Sequence, residues 1–128
     1  MRITLTDIHS SAAQTLCVSF TCACGKGRGQ WLGPTPQVAQ DYEVELSLED
    51  ELRWNHNIGP SPEGQPRIDW DQGALQISGH LLQVDDDGGA ALAIGQSIVL
   101  LSVQDVAQCT PLFVKLLARQ VSLRPIEL

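Results

Sequence analysis

The sequence contains few aromatic residues, few basic residues and no long apolar run. Aromatic residues make up 5% of the 128 residues, and only eight residues are lysine or arginine. No stretch approaches the roughly 20 apolar residues that a membrane helix requires. The opening residues, MRITLTDIHSS, do not resemble a signal peptide because Asp7 interrupts the apolar run. These absences predict a cytoplasmic protein that has no membrane partner.

The scarcity of basic residues is most pronounced in the middle of the chain. The formal net charge is −7, and residues 41–87 hold 12 of the 15 acidic residues but only two of the eight basic ones. A segment of this charge repels phosphate backbones, which proteins bind through lysine and arginine. Nucleic acid is therefore not expected as a partner, whereas a basic protein surface is compatible with the charge.

The composition otherwise indicates one folded domain spanning residues 1–128. Hydrophobic residues account for 43% of the chain and charged residues for 18%, which is ordinary for a globular protein. The length suffices for a single buried core. The four cysteines, at positions 17, 22, 24 and 109, are expected to be reduced thiols in the cytoplasm.

The clearest periodicity lies in residues 41–54, DYEVELSLEDELRW. Apolar residues occupy the even positions and polar residues the odd ones, which predicts a strand with one buried and one wet face. Asp50 breaks the pattern, because it places a charge on the buried side. This predicts a bulge or the end of the strand at Asp50.

Further strands are predicted on both sides of this segment. Residues 74–84, ALQISGHLLQV, change face near Gly79, which indicates a bend, and Asp85–Gly89 has the composition of a hairpin turn. Residues 97–103 are apolar on both faces, which predicts a central strand. Pro125 suits an edge strand at the C-terminal end. The remaining predicted strands are RITLTDI, QTLCVSFTC and AALAI.

Residues 111–119 are compatible with either of two structures. Thr110 and Pro111 could begin a short helix, but the neighbouring strands favour a further strand. With about seven short strands, the chain is predicted to be all-β, as a single small antiparallel barrel or a sandwich. The bend and bulges favour a barrel.

The segment CACGKGRGQ, residues 22–30, contains two cysteines followed by three glycines and two basic residues. Its spacing does not match a phosphate-binding loop. Zinc sites typically use four ligands in other spacings, so Cys22 and Cys24 are only an outside candidate for a metal site. The segment is predicted to be the end of a strand and a glycine-rich loop. Asp85, Asp86 and Asp87 lack the spacing of a calcium loop and are predicted to form a solvated turn.

The histidines, at positions 9, 56 and 80, are scattered and match no metal or catalytic motif. A hydrolase-like enzyme would need His56 or His80 to meet a carboxylate and a nucleophile in one cleft. No cofactor is predicted.

Residues 54–73 form a long polar segment that is bracketed by Trp54 and Trp70. Long connections in compact domains are often functional. Trp70 lies between Asp69 and Asp71, and an aromatic side chain with an acidic rim is typical of a protein-binding anchor. Alternatively, both tryptophans plug the open end of the barrel.

The alternating strand, the glycine bend and the Asp-Gly hairpin together resemble small OB-like barrels. OB domains commonly bind oligonucleotides through basic grooves and exposed aromatic residues, but this chain is acidic in the corresponding region. The stretches YEVEL, ELRWNHNI and VDDDG are also similar to a group of small uncharacterised bacterial proteins, a likeness that implies no activity and no site residues.

From these features we expect a non-enzymatic acidic module that binds a basic protein, of which an immunity-type neutraliser of a basic toxin is one concrete form. The alternatives are a small-molecule- or metal-binding barrel, a hydrolase-like enzyme, and a domain whose charge serves only solubility. The candidate partner-binding residues are Glu43, Glu45, Glu49, Glu51, His56, Asp69, Trp70 and Asp71.

Overall fold

A computed structural model describes residues 1–10, 15–62 and 64–126 of the chain, which form eleven strands and no helix. The strands are β1 (Arg2–Ser10), β2 (Leu16–Cys22), β3 (Gly25–Trp31), β4 (Asp41–Arg53), β5 (Ile58–Pro60), β6 (Arg67–Asp71), β7 (Ala74–Val84), β8 (Gly89–Ile94), β9 (Ser97–Gln104), β10 (Leu112–Ala118) and β11 (Val121–Pro125).

Strand pairing closes into a barrel of eight strands. The circuit runs β1–β2–β3–β6–β7–β8–β9–β4 and returns from β4 to β1. Strand β11 lies between β3 and β4, whereas β10 and β5 extend from β7. The predicted all-β barrel is confirmed, and the sandwich is not the architecture formed. The number of strands is higher than the seven expected, because several predicted loops are themselves strands.

The barrel interior is filled by apolar side chains from nearly every strand. Phe20, Leu75, Leu92 and Leu123 are among the buried residues, each at most 1% exposed. Burial of apolar surface on this scale is the main stabilising contribution to such a fold. The interior of the barrel is therefore a packed core.

Strand β4 follows the alternation predicted from the sequence. Its even-numbered residues from Val44 to Leu48 are buried, and Leu52 is buried as well. The register of β4 against β9 shifts between Ser47 and Glu51, which confirms the irregularity predicted at Asp50. The extra residues let the Asp50 carboxylate turn toward the β10–β11 connection, where it accepts hydrogen bonds from two main-chain N–H groups.

Strand β7 contains an irregularity, as predicted, but the register shift falls between Leu81 and Gln83 and not at Gly79. It pairs with three other strands: β6 along residues 74–78, β10 along residues 75–81, and β8 from His80 to Val84. A Cβ atom added to Gly79 would lie only 2.5 Å from the main-chain oxygen of Ala93. Glycine is required here because β8 approaches β7 so closely.

Several local predictions were wrong. Gly25–Trp31 is a strand and not a loop, since Gly27 and Gly29 leave the space that neighbouring core side chains occupy. By contrast, the strand favoured for residues 111–119 is confirmed, because Leu112–Ala118 is a strand with Val114, Leu116 and Ala118 buried in alternation. Pro125 does not mark an edge, because β11 pairs on both sides. The purely antiparallel arrangement is also wrong, since β3–β6, β3–β11 and β4–β9 are parallel pairs.

Residues 97–103 form a central strand, as expected, with β8 on one side and β4 on the other. Only one of its faces is buried, however. Ile98 and Leu100 point outward and are 55% and 61% exposed. Across the described ranges, no helix is long and apolar enough to cross a membrane.

We expect Gly79→Ala to lower the free energy of unfolding by about 2–3 kcal/mol, because the new methyl group must displace the main chain of β8. The matched control is Gly64→Ala, where no atom lies within 4 Å of the added Cβ. This control should leave stability within about 0.5 kcal/mol of the wild type. Urea unfolding followed by fluorescence measures both. Equal stabilities for the two variants would contradict the close approach of β8 to Gly79.

Candidate functional site

Four of the predicted residues share one outward face of β4. Glu43, Glu45, Glu49 and Glu51 all occupy odd-numbered positions, and all four are exposed. We call these four residues the acidic row. The row exists because side chains of a strand alternate between its two faces and the opposite face of β4 is buried in the core.

At the Glu43 end of the acidic row, the negative charge is balanced by positive groups of Met1 and Arg2. The amino group of Met1 lies 3.2 Å from Glu43, and the Arg2 guanidinium lies 3.2 Å from Asp41. The Thr4 hydroxyl donates a hydrogen bond of 2.6 Å to Asp41. The hydrogen bonds from Thr4 and Arg2 lower the pKa of the Asp41 carboxyl below its usual value.

The other three glutamates form no ion pair within the described part of the chain. Glu49 accepts a hydrogen bond of 3.3 Å from the Ser122 hydroxyl, and Glu51 accepts a long one from the Gln104 amide. Arg124 on β11 is the residue paired with Glu45 in the strand register, yet it forms no ion pair with it. These carboxylates are therefore free to interact with a partner.

An exposed apolar patch lies directly beside the acidic row. Leu100 of β9 pairs with Ser47 of β4, and both side chains point outward. Ile98, which lies two residues earlier on β9, is also exposed, and Ala91 and Ala93 of β8 are paired opposite Leu100 and Ile98. We call the acidic row together with Ala91, Ala93, Ile98 and Leu100 the β4–β9 face.

The predicted residues on β6 have a different setting. Trp70 is half-buried and packs against the core, whereas Asp71 is exposed. Asp69 forms an ion pair with Arg67 on the same strand. Trp70 and Glu49 line one cleft, so the structure brings these two predicted residues together.

The structure does not bring His56 into that cleft. His56 is exposed in the turn between β4 and β5 and lines a separate cavity of about 370 Å³ with Asn55, Asn57 and Lys115. Trp54, at the start of this turn, is 7% exposed and belongs to the core. The predicted long loop is thus partly folded into β5 and β6.

Within the described ranges, neither His56 nor His80 forms an ion pair or a hydrogen bond with a carboxylate. His80 stacks edge-on against Phe113 on the outer surface, with 5.0 Å between the ring centres. His9 forms a hydrogen bond of 3.0 Å with the Ser19 hydroxyl, but no acidic side chain in the described ranges bonds to His9. Within the described ranges, none of the three histidines is bonded to a carboxylate in the way that a Ser-His-Asp triad requires.

Cys22 and Cys24 lie at the hairpin between β2 and β3, where they line a cavity of about 570 Å³. Burial, with a smaller contribution from Cys22, raises the pKa of the Cys24 thiol. In the part of the chain that the structure describes, no three metal-binding side chains come close enough to share an ion. Two thiols alone do not fit a structural zinc site, which uses four ligands.

Asp85, Asp86 and Asp87 form the turn of the β7–β8 hairpin, as predicted. The main-chain N–H of Gly88 donates to Asp85, and the N–H of Gly89 donates to the Asp87 side chain. The turn lines a polar cavity of about 710 Å³ together with Asp105. Although these carboxylates line one cavity, no three of them within the described ranges lie close enough together to share a metal ion.

Four residues of the two candidate surfaces, the β4–β9 face and the cleft beside Trp70, were not predicted from the sequence. Ile98 and Leu100 were expected to be buried, and their position in an apolar run gives no sign of exposure. Arg28 and Arg119 line the cleft beside Trp70, although they lie in distant parts of the sequence. Only the pairing of β3 with β11 brings these two arginines to one site.

No known protein family, curated protein or solved structure matches this chain. The candidate sites are therefore inferred from the arrangement of their residues in the structure alone.

We expect Asp50→Ala to lower the free energy of unfolding by about 2 kcal/mol, because its carboxylate accepts hydrogen bonds from the N–H groups of Arg119 and Gln120 at 2.9 and 2.7 Å. Asp86→Ala, in an exposed turn, is the control and should change stability by less than about 0.5 kcal/mol. Urea unfolding compares the two variants. If both variants are equally stable, Asp50 does not hold the β10–β11 turn.

The thiols should differ in reactivity with a maleimide at neutral pH. Cys109 is exposed between β9 and β10, whereas Cys24 is partly buried and has a raised pKa that lowers its thiolate fraction. Mass spectrometry of the labelled peptides should show Cys109 modified before Cys24. Cys109→Ser should abolish the fast phase and Cys24→Ser should preserve it. Labelling of the Cys24 peptide as fast as the Cys109 peptide would contradict the partial burial of the Cys24 thiol.

Proposed function

We propose that this protein is a non-enzymatic binding module whose β4–β9 face docks onto a basic protein partner. The observation that carries the proposal is the position of Leu100, which is 61% exposed and lies beside glutamates that have no ion pair. An apolar centre with a charged rim is the usual anatomy of a protein–protein interface.

The apolar part of the face supports binding through burial of surface. Ile98 and Leu100 project from one strand, and the small side chains of Ala91 and Ala93 lie beside them on β8. Because the alanine side chains project little from the sheet, a partner's side chains can pack against this apolar surface without rearrangement of the main chain. Covering it would remove these side chains from water, which stabilises a complex.

The acidic row supports selection of a partner by charge. Glu45, Glu49 and Glu51 project from the same face as Leu100, in a chain of net charge −7. Their field would accelerate encounter with a basic surface and would repel acidic proteins and nucleic acids. The partner is therefore expected to carry lysine or arginine around an apolar contact.

Neutralisation of a basic toxin in the cytoplasm is one concrete form of this activity. A tight cover over a basic, substrate-binding surface would block that surface directly. The proposal rests on the β4–β9 face and does not use His56, which lines a separate cavity. Trp70, Asp69 and Asp71 remain candidate contacts at the side of the barrel that carries β6.

The proposal is tested by comparative affinity capture from a lysate of the source organism. The baits are the wild type, Glu45→Lys and Leu100→Ser. Asp7→Lys is the charge control, since it makes the same change in charge at an exposed position of β1. Leu117→Ser is the apolar control, because Leu117 is exposed on β10 outside the face.

We expect a basic protein that the wild type and both controls retain and that Glu45→Lys and Leu100→Ser lose. With that protein purified, Glu45→Lys should slow association about tenfold at low salt and should flatten its salt dependence. Surface plasmon resonance at several salt concentrations measures both effects. A partner whose association rate is the same for Glu45→Lys and Asp7→Lys would exclude docking through the acidic row.

A further inference from the structure

One edge of β3 is only partly paired. At its start, Gly25 pairs with Ile68 of β6, and at its end, Gln30 and Trp31 pair with Ser122 and Leu123 of β11. Between these positions, no strand in the described ranges pairs with this edge of residues 26–29. Strands β6 and β11 therefore diverge from each other and leave a gap on the outer surface of the barrel.

The gap forms a cleft of about 370 Å³ with a distinct set of side chains. Its lining includes Arg28 and Gln30 from β3, Trp70 from β6, and Arg119 and Gln120 from the β10–β11 turn. The volume lies within the range of small-ligand sites, which is roughly 300–1,000 Å³. Two guanidinium groups, two amides and one indole ring thus meet in a space suited to a small molecule.

The two arginines are available to a ligand. The Nε of Arg28 donates to the Cys17 sulfur at 3.2 Å, which orients the guanidinium and leaves its terminal nitrogens for other acceptors. Arg119 is held through its main chain, whose N–H donates to Asp50. Neither guanidinium lies within 4.0 Å of a carboxylate among the described residues.

The lining of the cleft carries more positive than negative charge. Among the described residues that line it, Glu49 is the one acidic side chain, and its carboxylate accepts a hydrogen bond from the Ser122 hydroxyl. The lining side chains therefore sum to a positive charge, in a chain whose net charge is −7. A positive cleft on an acidic protein selects an anion that the rest of the surface repels.

We propose that this cleft binds a small organic anion that combines a planar ring with a carboxylate or phosphate group. Guanidinium groups bind such oxyanions through paired, charge-assisted hydrogen bonds. The half-buried indole of Trp70 offers a surface on which a planar ring stacks. The amides of Gln30 and Gln120 can donate to the remaining oxygens.

This site can be tested separately from the β4–β9 face. Its two arginines and Trp70 belong to β3, β6 and the β10–β11 turn, and only Glu49 contributes to both sites. Variants of the arginines leave the acidic row intact, so the failure of one proposal does not decide the other.

The test is a titration followed by NMR of the tryptophan indole N–H groups. The probes are phenyl phosphate, benzoate and the neutral benzyl alcohol, and Trp70→Phe assigns the Trp70 signal. We expect at least one of the two anions to shift the Trp70 signal at millimolar concentration, with benzyl alcohol much weaker. A comparison of phenyl phosphate with benzoate identifies the preferred anionic group.

Arg28→Gln and Arg119→Gln should each weaken binding of the preferred anion about tenfold, the loss expected for one charge-assisted hydrogen bond. Arg124→Gln is the matched control, because it removes an exposed arginine of β11 that does not line the cleft, and it should leave binding unchanged. The proposal is overturned if neither anion shifts the Trp70 signal, if benzyl alcohol binds equally well, or if Arg119→Gln binds like Arg124→Gln.

Discussion

The fold depends on the close approach of β8 to β7 at Gly79. Strand β7 pairs with β6 along residues 74–78, with β10 along residues 75–81 and with β8 from His80 to Val84. The main chain of Ala93 approaches Gly79 so closely that no side chain fits between them. Strand β8 in turn pairs with β9, and β9 lies beside β4.

That position creates the β4–β9 face. The alternation of β4 directs its glutamates outward whatever the fold, but it does not determine what lies next to them. Barrel closure places Leu100 of β9 opposite Ser47, within the acidic row. An exposed leucine alone is common on protein surfaces, and so is an exposed glutamate. Their regular juxtaposition on two paired strands gives the face its combined apolar and electrostatic character.

The cleft beside Trp70 has the opposite origin, because it lies where strand pairing is incomplete. Strands β6 and β11 both run parallel to β3 but meet it at different ends, so the side chains between them line a recess. The Asp50 carboxylate stabilises the β10–β11 turn at the rim of this recess, which links the bulge of β4 to the placement of Arg119. The two sites differ in charge, and they are expected to select different partners: a basic protein and a small anion.

The sequence alone determined the features that depend on near neighbours in the chain. The alternation in residues 41–54, the irregularity at Asp50 and the turn at Asp85–Gly88 were all predictable, because each follows from local side-chain geometry or from the backbone freedom of glycine. Only the tertiary structure decided that Gly25–Trp31 is a strand. Its glycines disfavour that conformation locally, yet Phe20, Leu75 and Val121 fill the space where their side chains would be. The exposure of Leu100 and the meeting of Arg28 with Arg119 also required the tertiary structure, since both result from pairing between strands that are far apart in the sequence.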